Sequence, residues 1–99
     1  MDYKVDFKDP FLDDLERIVR EVAGENAEAA RKLGEAIVRT AESLDFFPER
    51  YPRVRQHPML RRFIVARYYK VFYRVRGDAM TVEILRCWDG RRGTEPTIG

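Results

Sequence analysis

The sequence predicts an α+β domain of order β-α-α-β-β-β, a helix hairpin packed on one face of a small, mainly antiparallel sheet. Three observations predict it. Apolar residues recur at helical spacing as far as Leu44 and at a spacing of two from Leu60 onward. Asn26, a cap residue, comes only two residues after Gly24, which is placed to stop the first helix, so the two helices must double back on each other. Gly77-Asp78 lies between two alternating runs, as a hairpin turn does.

Each element has its own signal. In "DYKVDF" Tyr3, Val5 and Phe7 share one side and Asp2, Lys4 and Asp6 the other, which reads as a half-buried strand. Asp9 is placed to cap the first helix with Pro10 at its first position, where a missing N–H costs nothing. Leu12, Leu15, Ile18, Val19 and Val22 form its apolar stripe, and Gly24 is expected to end it in a left-handed conformation. Asn26 caps the second helix, whose buried side is Ala30, Leu33, Ile37, Ala41 and Leu44; the small residues Ala29, Ala30, Gly34, Ala36 and Ala41 favour a close neighbour. "DFFPERYPRVRQHP" contains Pro48, Pro52 and Pro58 and reads as a loop, pinned by Phe46, Phe47 and Tyr51.

"LRRFIVAR" carries apolar residues on both faces, as a strand covered on both sides does. In "YKVFYRVR" Tyr69, Val71, Tyr73 and Val75 point one way and Lys70, Phe72, Arg74 and Arg76 the other. Pairing outward from a two-residue turn sets Val75 opposite Met80, Tyr73 opposite Val82 and Val71 opposite Ile84, with Arg74 opposite Thr81 and Phe72 opposite Glu83. One sheet face is thereby committed to the helices. The other is expected to show Arg62, Lys70, Phe72, Arg74 and Arg76, a basic surface with an aromatic in it. Alternation also sends Arg86 to the helix side with Ile84, where it must escape at the strand end or meet an acidic side chain.

At 99 residues, 44% hydrophobic and 36% charged, the chain has the make-up of one soluble globular domain spanning residues 1–99. No apolar run approaches the ~20 residues of a membrane span, and the acidic, alternating N-terminus lacks the features of a signal peptide. A single cysteine, Cys87, allows no internal disulfide and fits a reducing cytoplasm. The net charge of +2 conceals an asymmetry: residues 1–49 hold 7 Lys+Arg against 13 Asp+Glu, and residues 50–99 hold 12 against 4. Eleven of those 12 bases are arginine, whose planar fork suits carboxylates, phosphates and aromatic faces, so an anionic partner is expected.

Several chemistries find no support. His57 is the sole histidine, set before a proline and thirty residues from Cys87, so no metal-ligand spacing exists. Cys87 has no neighbouring base and reads as a small buried hydrophobe. None of the six glycines falls in a phosphate-binding pattern, and no cofactor is expected. Metal-free RNA cleavage has its cations in Arg61, Arg62, Lys70, Arg74, Arg86, Arg91 and Arg92. Its acid–base half is missing, since Asp89, Glu83 and the tyrosines form no recognisable pair.

"FPERYPRVR", "LRRFIVARYYKVFYRV" and "VEILRCWDGRR", in that order after a helix hairpin, resemble the ParE/RelE toxin superfamily of type II toxin–antitoxin modules. The most specific pieces are Tyr69, Val71, Tyr73, Arg74 and Val75 on one strand and Ile84, Leu85, Arg86, Gly90, Arg91 and Arg92 at the end of the next. The resemblance implies a cytoplasmic toxin held by a partly disordered antitoxin that folds on binding, as a toxin dimer or a toxin–antitoxin hetero-oligomer. It also implies one of two targets. RelE-like members cleave mRNA on the ribosome, whereas ParE-like members poison DNA gyrase with no hydrolytic site. Of the RelE-type pattern, Arg61, Lys70 and Arg91 or Arg92 match; Phe63 stands where a base is expected, and the tail "GTEPTIG" has no catalytic tyrosine. Many relatives place His-Gly-Arg-Arg where this chain has Asp89-Gly90-Arg91-Arg92, and a carboxylate there does not titrate near neutrality as an imidazole does. The expectation is therefore a ParE-like toxin with no catalytic residue. Its antitoxin- or target-binding surface comprises Arg62, Lys70, Phe72, Arg74, Arg76, Arg86, Trp88, Asp89, Arg91 and Arg92. A nucleic-acid-binding domain without toxic action is the reading from outside the family.

Overall fold

The structure, a computed structural model, describes residues 2–94 together with Pro96 and Ile98. Of the tail read above as lacking a catalytic tyrosine, Glu95, Thr97 and Gly99 lie outside the described residues. Strand β1 (Lys4–Phe7) leads into helices α1 (Asp9–Ala23) and α2 (Ala27–Glu42). Strands β2 (Arg53–Val54), β3 (His57–Val65), β4 (Tyr69–Arg76) and β5 (Thr81–Asp89) follow. The sheet order is β1-β5-β4-β3-β2, with β1 parallel to β5 and the other pairs antiparallel. The α+β expectation holds, with one added strand: the proline-rich segment is not all loop but contains a 3-10 turn at Pro48–Arg50, β2 and the start of β3. Pro58 is tolerated because β2 pairs with β3 only at its ends, through a register shift.

Asn26 caps α2 as expected, its side-chain oxygen accepting the Ala29 N–H at 3.0 Å. Two expectations at the ends of α1 fail. The helix begins at Asp9 with Lys8 in the cap position and no side-chain cap bond. Gly24 is right-handed (φ −61°), because its N–H still reaches the Arg20 carbonyl and the chain turns through one more helical residue. The apolar stripe is also rotated from the one expected. Phe11 and Ile18 are buried, whereas Leu12 is 45% exposed. All five residues assigned to the buried side of α2 are buried, and Gly34 lies close enough to Val19 for an added Cβ to sit 3.3 Å from it.

The core lies between the helices and the sheet and contains Phe63, Val71, Tyr73, Val82 and Ile84. Tyr73 also donates its hydroxyl to the Pro48 carbonyl at 2.6 Å, tying the proline loop to the sheet. Phe46 and Phe47 do not pin that loop: they are 66% and 60% exposed, and Tyr51 alone packs inward, on Phe63. Arg50 holds the segment instead, donating to the Ser43 and Phe46 carbonyls and to Ser43 Oγ.

The β4–β5 register differs from the one expected. Gly77–Ala79 form a 3-10 turn closed by a left-handed Met80, so the connection is two residues longer than a tight hairpin. Val75 therefore faces Val82, Tyr73 faces Ile84 and Arg74 faces Glu83. A shift of two keeps every side chain on its expected face. Beyond Ile84 a bulge intervenes: Phe72 pairs with Arg86, leaving Leu85 unpaired. Cys87 consequently enters the helix-side core while Leu85 and Trp88 pack on the opposite face, and Arg86, set opposite Phe72, leaves the helix side; for Arg86, Cys87 and Trp88 this is the reverse of plain alternation.

Candidate functional site

The end of β5 and the β3–β4 turn meet at one corner of the sheet. The Gly90 N–H donates to the Tyr68 carbonyl at 2.7 Å, and a Cβ on Gly90 would lie 2.6 Å from that oxygen. Only glycine allows this approach, and it brings Arg91 onto the tyrosines. The Arg91 guanidinium stands 4.3 Å from the Tyr68 ring centroid and 5.9 Å from that of Tyr69, whose hydroxyl it approaches at 3.4 Å. Asp89 grips the same arginine, accepting from Arg91 Nε at 2.9 Å, Nη2 at 2.7 Å and the backbone N–H at 3.0 Å. Trp88 lies between two more guanidinium groups, Arg92 at 5.8 Å and Arg86 at 6.0 Å from its ring. Its indole N–H donates to the Thr94 carbonyl. A cleft of about 190 Å³ separates this cluster from α1, whose wall presents Arg17, Glu21 and Glu25.

The electrostatics suit recognition more than proton transfer. The Arg91 hydrogen bond holds the Asp89 carboxyl below its ordinary range, and that pairing raises Arg91 further above its own. Burial pushes the Tyr69 phenol up. Cys87 is buried beneath the cluster, its thiol pushed up to about 12 by desolvation and secondarily by Asp14, which leaves it un-ionised and unreactive at neutral pH. Among the described residues no group of three or more His, Cys, Asp or Glu is placed to hold a metal.

The residues expected to form one surface divide into two groups. Arg86, Trp88, Asp89, Arg91 and Arg92 come together at the corner, and Lys70 faces Trp88 across the ladder. Arg74 and Arg76 lie further along β4 and converge on Glu83: Arg74 Nη2 approaches its carboxylate at 2.6 Å, Arg76 at 3.9 Å and Lys8 at 3.8 Å. With Asp6 on Lys8 at 3.0 Å and Asp78 on Arg76 at 3.7 Å, that part of the basic face is substantially neutralised, in part by the register that sets Arg74 opposite Glu83. Arg62 lies on β3 opposite Phe72. Phe72 itself is a correction. It is 2% exposed, forming a second small core with Val54 and Leu60 under Leu85, Trp88 and Ile98, so it is a floor beneath the free face.

One residue the sequence reading missed is Asp14. It is buried on α1, yet its carboxylate accepts from Arg86 Nε at 2.6 Å, Arg86 Nη2 at 3.0 Å, the Cys87 N–H at 3.0 Å and Arg17 at 3.2 Å. The acidic partner that Arg86 requires is therefore supplied from the other end of the chain. Its helical phase was the available signal, since Asp14 stands three residues after Phe11 and four before Ile18, in the middle of the buried stripe.

Solved structures from toxin–antitoxin systems share this architecture. A chain of the chromosomal ParDE toxin–antitoxin system from P. aeruginosa is 21% identical, with a TM-score of 0.74 over 88% of this chain and 95% of that one. The M. tuberculosis RelBE2 toxin–antitoxin complex gives 23% identity and a TM-score of 0.66 over 90% and 99% of the two chains. A free E. coli RelE mutant gives 14% and 0.66 over 90% and 84%. At these identities the likeness is one of fold. Among curated proteins none matches significantly. A family model, that of the ParE toxin of the type II toxin–antitoxin system parDE, matches residues 5–93. The chain belongs to the ParE toxin family of type II toxin–antitoxin systems.

Proposed function

We propose that this toxin acts by binding, with DNA gyrase as its target, and is neutralised by a cognate antitoxin whose acidic, partly disordered segment folds onto it. The observation that carries the reading is the chemistry of the strand-end cluster. Arginines and aromatics are concentrated there, while Asp89 is held ionised by Arg91 and the one histidine, His57, pairs with Val54 in the β2–β3 ladder. Such a cluster favours recognition of carboxylates and aromatic surfaces over cleavage of a phosphodiester.

Arg62, Lys70, Arg74, Arg76, Arg86, Trp88, Asp89, Arg91 and Arg92 are the proposed contact residues, with Phe72 beneath them. Two grooves on the free sheet face support an amphipathic occupant. One of about 270 Å³ is lined by Met59, Leu60, Leu85 and Ile98 beside Arg74; the other, of about 430 Å³, by Leu85 and Ile98 beside Lys8, Arg74 and Arg86. A segment alternating apolar and acidic side chains complements both.

The test is expression of the chain alone and together with the product of a neighbouring reading frame that is small, acidic and carries a DNA-binding N-terminus. Growth arrest relieved by co-expression, with the two proteins co-purifying, is the expected result. Undiminished growth with the chain alone, or failure of the two to associate, contradicts it.

A further inference from the structure

We propose that Asp14 is the positioning residue of the recognition surface: from α1 it fixes the bulge at Leu85 and so holds Trp88 on the free face of the sheet. The inference rests on the reading of that surface given under Proposed function, but its geometry stands apart from it. A strand that loses one residue of register moves every later side chain to the other face. Without the bulge, plain alternation from Ile84 carries Trp88 into the helix-side core and Cys87 out of it. Something must therefore specify the extra residue.

The sheet itself does not. β1 borders β5 only from Thr81 to Ile84, so the edge of β5 beyond Ile84 has no neighbouring strand on that side. Asp14 stands at this edge. It accepts the Cys87 N–H at 3.0 Å, doing for the backbone what a partner strand does elsewhere, and it binds the side chain of Arg86 twice. Two consecutive residues just past Leu85 are thereby fixed to one buried carboxylate. Arg86, so held, lies 6.0 Å from the Trp88 ring. Buried ion pairs contribute little net stability compared with apolar replacements, and their best-attested use is to specify register. Bulges in turn re-aim the side chains that follow them.

Trp88 is the only tryptophan in the chain, so its fluorescence reports on its own placement. Asp14→Leu completes the apolar stripe between Phe11 and Ile18, which preserves helix packing while removing every acceptor. Arg86→Gln leaves Asp14 in place and breaks the charged bond. Ile37→Val serves as a control that weakens the core away from Trp88. The expected result is a cooperative melt for Asp14→Leu, with acrylamide quenching of Trp88 changed by about twofold or more as the side chain is re-aimed. Arg86→Gln moves the signal in the same direction, and Ile37→Val leaves it at the wild-type value. Wild-type quenching in a folded Asp14→Leu protein overturns the proposal. If that variant does not fold, wild-type quenching in Arg86→Gln overturns it equally. Displaced Trp88 with unchanged antitoxin affinity leaves the positioning role standing and overturns the recognition reading instead.

Discussion

Gly90 and Asp89 show how the corner depends on single residues. Gly90 lies against the Tyr68 carbonyl at a distance no Cβ tolerates, so Gly90→Ala forces β5 away from the β3–β4 turn. The expected loss is about 1–3 kcal/mol, as for other overpacked sites; urea unfolding measures it. Asp89 predicts a pH dependence. Its carboxyl is more acidic in the folded chain than its ordinary value of 3.8, chiefly through the Arg91 hydrogen bond. In the interval between the two values the unfolded state binds more protons, so stability rises with pH. The Asp89 contribution is thus fully present above the ordinary value and is lost as pH falls through the lower folded one. Wild type and Asp89→Asn should differ in urea midpoint at pH 7 and converge in strong acid. A constant difference across that range contradicts the assignment.

At the scale of elements, the β4–β5 ribbon is organised by Glu83 on its free face. Arg74, Arg76 and Lys8 all approach it, and its side chain is largely shielded from water. Glu83→Gln removes the charge and leaves the cations facing one another. The expected cost is roughly 1–2 kcal/mol, discounted for the exposure of the arginines, and it should shrink in high salt. The helices and the longer strands were legible in the sequence because their periods are unambiguous, as α2 with Ala30, Leu33 and Ile37 illustrates. What was not legible depends on contacts between distant segments. The bulge at Leu85 is created by an aspartate more than seventy residues away, and no local pattern announces it. Phe72 alternates like a surface residue and is buried because Val54, Leu60 and Ile98 converge on it from three other segments. The turn after β4 was misjudged for a local reason: Gly77-Asp78 offers a tight hairpin, but the 3-10 turn and left-handed Met80 place Arg74 opposite Glu83.

For the whole molecule, the charge asymmetry acquires a shape. The acidic α1 backs the sheet, while Lys70, Arg74 and Arg76 lie on its free-face side and Arg86, Arg91 and Arg92 gather at the corner where β5 ends; Arg50 and Arg61 turn instead to loop carbonyls. The candidate site was only partly legible for this reason. The sequence named Arg86, Trp88, Arg91 and Arg92, but their stacking on Trp88, Tyr68 and Tyr69 exists only once the β3–β4 turn reaches Gly90. No helix among the described residues is long and apolar enough to cross a membrane. The central claim is that this chain disables its target by binding. Its most direct test is DNA supercoiling by purified gyrase, titrated with the purified toxin and run beside a ribosome-bound mRNA. The account predicts dose-dependent loss of supercoiling, restored by the antitoxin and weakened by Arg91→Ala with Arg92→Ala, while the mRNA stays intact. Unchanged supercoiling with cleavage of the ribosome-bound mRNA contradicts it.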